Sequence, residues 1–139
     1  MLGGMSAPHT VDLDALVRRF IGFIVAKDLT AACAMLTPDC VYDNVPMGPV
    51  TGPEAVRTGL TPFLGECDQI DWVVHHQVAR QDGPETGVVM NERLDRFHLG
   101  GRWVEVPVAG LFVIEQGLIS LWRDYFDLAT FRNSMSPGS

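Results

Sequence analysis

Arg93 and Asp95 stand two residues apart in V-V-M-N-E-R-L-D-R-F, which runs from Val88 to Phe97. In an extended chain, residues i and i+2 face the same side, so a guanidinium and a carboxylate share one face and can touch. Asp124 lies between Trp122 and Phe126 on one face of L-I-S-L-W-R-D-Y-F. A carboxylate set between two large aromatics is unusual, because carboxylates are seldom buried unpaired. Tyr42 and Asn44 share a face in C-V-Y-D-N-V, with Asp43 on the other. Each group also has a plain structural reading. Arg93 and Asp95 can form an ion pair on a solvated strand, worth about 0–1 kcal/mol, and Asp124 can face solvent or simply pair with Arg123 or another arginine.

If the five groups meet in one pocket, their chemistry is coherent. Two carboxylates and one guanidinium in a dry site leave surplus negative charge, so one proton is held on one aspartate. One acid and one base of the same residue type then carry out proton transfers near neutral pH. Tyr42 and Asn44 add a hydroxyl and an amide that can fix a water beside Asp124.

These residues sit in a chain whose pattern changes midway. Leu13, Leu16, Val17, Phe20 and Ile24 form the apolar stripe of a helix running to about Lys27, with Thr10 as N-cap and Asp12 and Asp14 near its positive end. A short helix is expected over Thr30 to Leu36, stopped before Pro38. A strand follows over Cys40 to Val45. Pro46, Gly48, Pro49, Gly52 and Pro53 then read as a loop. Pro53 opens a helix to about Leu64, with a disturbance expected at Thr61-Pro62.

The second half reads as strands. Ile70 to Ala79 places Ile70, Trp72, Val74 and Val78 on alternate positions, and Gln81 to Pro84 reads as a turn. Gly87 to His98 is the strand of Arg93 and Asp95, and Gly100-Gly101 turns it into Arg102 to Glu115. There Val104, Val106, Val108, Phe112 and Ile114 line one face, and Pro107 marks a bulge or an edge. Leu118 to Phe126 is the last strand, and Phe131 lies in a short C-terminal segment. Helices first and long antiparallel strands after is an α+β pattern. The expected fold is a strongly curved, mostly antiparallel sheet wrapped around N-terminal helices, a cone with an inner pocket.

Length and composition bound the function. At 139 residues the whole chain is expected to form one domain, with mobile ends over about 1–9 and 134–139. A net charge of −7 argues against nucleic-acid and anionic-membrane partners. No apolar run approaches a membrane span, and the N-terminus lacks the pattern of a signal peptide. Cys33, Cys40 and Cys67 are odd in number and have no C-x-x-C spacing, which points to reduced thiols in the cytoplasm rather than a disulfide framework or a zinc site. His9, His75, His76 and His98 form no H-x-x-x-H pair, so a metal site is not signalled; no cofactor is expected.

The combination V-Y-D-N-V-P, then N-E-R-L-D, then W-R-D-Y-F-D resembles the limonene epoxide hydrolase family, from the first helix to about Phe131. The family's fold is the small α+β cone shared with ketosteroid isomerases and nuclear-transport-factor-like proteins. The resemblance implies that Asp124 takes a proton from water, that Asn44 and Tyr42 hold that water, that Asp95 protonates the epoxide oxygen, and that Arg93 bridges the two aspartates. The implied reaction opens an epoxide to a vicinal diol in one step, with no covalent intermediate and no metal. Substrate contacts are expected from Met35, Leu36, Phe97, Val106, Val108, Phe126 and Phe131. Which epoxide is preferred, the regio- and stereochemistry of opening, and the pathway are left open by the sequence. So are two rivals: another enzyme on this fold, ketosteroid-isomerase-like or polyketide-cyclase-like, and a non-catalytic binding or dimerisation module. Trp103, His75 and His76 read as sheet-face or dimer-interface residues. Leu111 and Val113 on the outer sheet suggest a homodimer.

Overall fold

The computed structural model describes residues 9–136. The lead over 1–8 and the last three residues of the tail lie outside the described residues. Helix α1 (Leu13–Val25) buries Leu13, Leu16, Val17, Phe20 and Ile24 as the spacing predicts, with Ile21 beside them. Its N-cap is Asp12 rather than Thr10, because the Asp12 carboxylate accepts the Ala15 N–H at 3.1 Å. It stops two residues early, and Lys27 adopts a left-handed φ of 59°. Helix α2 (Leu29–Cys33) is shorter than the pattern suggested.

The sheet contains β1 (Leu36–Asn44), β2 (Gly48–Thr51), β3 (Gln69–Gly83), β4 (Thr86–Leu99), β5 (Arg102–Glu115) and β6 (Leu118–Tyr125), in the order β2-β1-β6-β5-β4-β3. All neighbours are antiparallel except β1 and β6. Helix α3 (Pro53–Glu66) connects β2 to β3, and α4 (Leu128–Met135) follows β6. Ser134 and Met135, read from the sequence as part of a mobile tail, close α4 instead. The curved sheet folds its inner face around α1. Phe20 meets Phe112 and Trp122 edge-on, at 6.3 Å and 5.0 Å between ring centroids.

Prolines account for several departures from the sequence reading. β1 starts at Leu36 and passes through Pro38, where its register against β6 shifts between Leu36 and Val41, so no ladder bond is lost there. The expected loop contains β2, an edge strand, where Pro49 opposite Asp43 needs no second partner. Pro62 sits inside α3, which continues to Glu66. The Thr61 hydroxyl donates to the Arg57 carbonyl at 2.7 Å beside it. Pro107 lies where β5 extends past its last pair with β6, Ala109–Tyr125, so on that side β5 is an edge.

One irregularity changes what faces inward. β3 gains a residue between Val74 and His76 in its pairing with β4. The bulge reverses the alternation. Val78, expected on the face of Trp72, is therefore 68% exposed, and Gln77 takes the inner position opposite Asn91.

Candidate active site

Three strands supply the polar groups in the sheet's interior. Arg93 and Asp95 come from β4, Asp124 from β6, and Tyr42 and Asn44 from the adjoining part of β1. The parallel register sets Asn44 beside Asp124 and Tyr42 beside Trp122. Arg93, Asp95 and Asp124 are 1%, 4% and 3% exposed, so the solvated-strand reading does not hold for them.

The guanidinium joins both carboxylates. Nε and Nη2 of Arg93 donate to the two oxygens of Asp95, each at 2.9 Å. Nη1 and Nη2 donate to Oδ1 and Oδ2 of Asp124 at 3.2 Å and 3.0 Å. The Trp122 indole N–H donates to Asp124 Oδ1 at 3.1 Å, and the Arg93 guanidinium stacks 4.9 Å from the Trp72 ring centre. Trp122 also stacks on Tyr42, 3.8 Å between centroids, which sets the phenol against the strand that carries Asp124.

Electrostatics separates the groups. Burial pushes the Asp95 carboxyl up to about 6; the Arg93 hydrogen bonds and charge oppose that shift, and the Asp124 charge adds to it. Burial works against the charged form of Arg93, but the Asp124 and Asp95 carboxylates outweigh it and keep the guanidinium firmly protonated. Burial and the nearby Asp124 raise the Tyr42 hydroxyl above the usual phenol range, with Asn44 beside it acting in the opposite sense. Tyr42 is therefore a neutral hydroxyl at physiological pH.

A cavity of about 230 Å³ opens in front of the two carboxylates. Asp95, Asp124, Tyr42 and Asn44 are on its wall, as are Phe97, Val106, Val108, Phe126 and Phe131. Arg93 is not; it lies behind the aspartates with its side chain closed off from solvent. Met35 and Leu36, expected at the cavity, are not among the residues on its wall and pack in the core. Leu36 pairs with Ile119, and the Met35 carbonyl accepts the Ile119 N–H at 2.8 Å, which fixes both at the start of β1. The wall also contains residues not anticipated from sequence: Met47 of the β1–β2 turn, Leu60, Phe63 and Leu64 of α3, and Trp72 of β3.

Gly110 was missed as well. It lies in register with Asn91 on one side and Asp124 on the other. A Cβ there would collide with Arg93 Nη1 and Asn91 Oδ1 and press tightly on Asp124 Oδ1. The signal was present: Gly110 interrupts the inward series of Val104, Val106, Val108, Phe112 and Ile114, and a glycine inside a strand marks close approach. Among the described residues no group of three or more His, Cys, Asp or Glu side chains is arranged to hold a metal ion, and no helix is long and apolar enough to cross a membrane.

A curved α+β sheet over helices, with a buried Asp-Arg-Asp bridge behind an apolar cavity, places the chain in the nuclear-transport-factor and ketosteroid-isomerase fold class. A solved protein with ketosteroid-isomerase-like fold from Catenulispora acidiphila is similar in fold at 18% identity, covering 90% of this chain and 92% of that one, with a TM-score of 0.72. Residues 12–136 match the family described as the limonene-1,2-epoxide hydrolase catalytic domain, and the chain belongs to that family. It is 30% identical over 112 residues to the epoxide hydrolase EphG of Mycobacterium tuberculosis, covering 81% of this chain and 71% of that protein. A solved epoxide hydrolase of the same family type from M. tuberculosis is 29% identical, with a TM-score of 0.71, covering 87% of this chain and 86% of that one. At the level of family, then, the chain is an epoxide hydrolase.

Proposed function

We propose that this protein opens a small apolar epoxide to a vicinal diol by one-step attack of water. Asp124 takes a proton from a water held by Asn44 and Tyr42, and the water oxygen attacks one ring carbon from behind. The C–O bond breaks as Asp95 gives its proton to the epoxide oxygen. Asp124 ends protonated and Asp95 ionised, so the number of protons in the site is unchanged. Arg93 touches both carboxylates and lets the surplus charge move from one to the other while the proton returns. No carboxylate forms a bond to the substrate. Ring strain supplies driving force, and protonation makes the alkoxide a competent leaving group.

The observation that supports this reading best is the shared Arg93 fork behind two cavity-facing carboxylates. An isomerase or cyclase that moves a proton on carbon has no need of that bridge, and a mere scaffold has no reason to accept the cost of burying it. Phe97, Val106, Val108, Phe126 and Phe131 are assigned to substrate contact. The cavity is below the roughly 300–1,000 Å³ of drug-sized sites, which suits a compact cyclic or terpene-like epoxide; limonene oxide is one candidate. Incubation with a panel of racemic epoxides and chiral analysis of the products tests the reading. Vicinal diols support it; isomerised products, or no turnover of any panel member, count against it.

The proposed assembly is a homodimer through the outer face of the sheet. Met90 pairs with Leu111 and with Val78, and Val88 with Val113, as one apolar surface. Light scattering at low concentration should give twice the chain mass, and a monomer refutes the assembly. The free cysteines Cys33, Cys40 and Cys67 suit a reducing compartment such as the cytoplasm.

A further inference from the structure

The Arg93 guanidinium has five N–H donors, and the two aspartates take four of them. The fifth, on Nη1, goes to Asn91 Oδ1 at 3.1 Å. A guanidinium can only donate, so the Asn91 amide must turn its oxygen toward it. Asn91 Nδ2 then donates to Gln77 Oε1 at 3.0 Å. Gln77 Nε2 donates to the Asp14 carbonyl at 3.1 Å and to its carboxylate at 2.8 Å. Asp14 offers only acceptors, because its bonds to Gln77 and then Arg18 hold its carboxyl below the usual range. Both ends of the chain therefore dictate the same amide orientations. Gln77 reaches this position through the β3 bulge, and its partner lies on α1, sixty-three residues away in sequence.

We infer that Asn91 is a positioning residue for epoxide opening, acting through Arg93 and itself oriented by Gln77 and Asp14. The inference rests on the function proposed above. Asn91 is buried and lies outside the cavity wall, so it has no contact with substrate. Its amide oxygen occupies the last guanidinium donor without adding a third negative charge. An apolar side chain there would leave a buried charged N–H unpaired. The guanidinium, still held by its four carboxylate bonds, would lose the neutral restraint on Nη1, and the fork would shift relative to the cavity. The charged and polar groups that face Arg93 are Asp95 on its own strand, Asp124 from β6, Tyr42 from β1 and the Trp72 ring from β3. Asn91 is the uncharged hydrogen-bond acceptor that completes this set.

The test uses the full chain, Asn91→Asp, Asn91→Leu and Gln77→Leu, with racemic limonene oxide and cyclohexene oxide as probes. Asn91→Asp is nearly isosteric and adds a third carboxylate to the fork. It should move the alkaline limb of the kcat profile, and the Asp95 titration read by carboxyl-detected NMR, upward by about one pH unit. Asn91→Leu should lower kcat roughly 10- to 100-fold with KM within about twofold. Gln77→Leu should act in the same direction and less strongly. Variants that melt earlier but keep the wild-type pH profile, kcat and Asp95 titration would overturn the inference and leave Asn91 a structural residue. If the wild-type protein opens neither probe, the proposed function loses its support. The NMR titration of Asn91→Asp still reads the coupling through Arg93 in that case, and an unmoved Asp95 overturns the inference on its own.

Discussion

The Arg93 guanidinium occupies the space that a Cβ on Gly110 would need. Gly110 sits on β5 between Asn91 of β4 and Asp124 of β6, so the absence of a side chain there lets Arg93 reach across a whole strand. Its φ lies outside the positive range, and alanine would suit the backbone. The cost of Gly110→Ala is therefore one of collision, about 1–3 kcal/mol of stability if the core adjusts. Because the displaced atoms belong to the bridge, diol formation should fall at least about a hundredfold. A thermal melt paired with a rate measurement checks both; an alanine variant with wild-type activity would show that the bridge is not needed.

Removing the base or the fork should leave the fold and stop the chemistry. Asp124→Asn keeps the shape but cannot accept a proton, and a loss of roughly 10²- to 10⁴-fold in kcat is expected. Arg93→Lys should not restore function, because an ammonium cannot hold two carboxylates in one plane. The readout is kcat on protein whose circular dichroism matches the wild type. Full activity in the lysine variant would remove the bridging role from Arg93.

The raised pKa of Asp95 sets a pH dependence. Its protonated form is the acid, so log kcat/KM should decline as pH rises through about 6 in the free enzyme, and the apparent value belongs to the coupled pair. Stability follows the same sign. Between the unfolded value of 3.8 and about 6 the native state binds more protons than the unfolded one, so this contribution is complete at low pH and is lost as pH rises. Denaturant melts of the wild type and Asp95→Asn at pH 4, 5, 6 and 7 should diverge across that window. Parallel curves would contradict the buried, proton-holding carboxyl.

Much of this arrangement could be read along the chain because it depends on short-range spacing. Arg93 and Asp95 two apart, and Trp122, Asp124 and Phe126 on alternate positions, show their shared faces directly. The boundaries of β5 were legible because Gly100-Gly101 and Gln116-Gly117 bracket it; Gly100, Gly101, Gln116 and Gly117 all take positive φ. Pro38 and Pro49 hid strand residues, since their missing N–H is harmless only at a register break or an edge that pairing defines. The bulge near His75 left no mark in the sequence, so Val78 was expected on the inner face and Gln77 was overlooked. Met35 and Leu36 cannot be told from cavity residues along the chain, because an apolar residue in the core and one on a cavity wall look alike in sequence. The link from Asp14 through Gln77 and Asn91 to Arg93 joins three elements that only the folded chain brings together.

The most direct test is a single turnover, enzyme in excess over epoxide, in oxygen-18 water. Direct attack by a water activated at Asp124 places one oxygen-18 in the diol formed in that first turnover and none in the protein. Unlabelled diol with oxygen-18 later found in an aspartate would mean that a carboxylate, not water, attacks the ring.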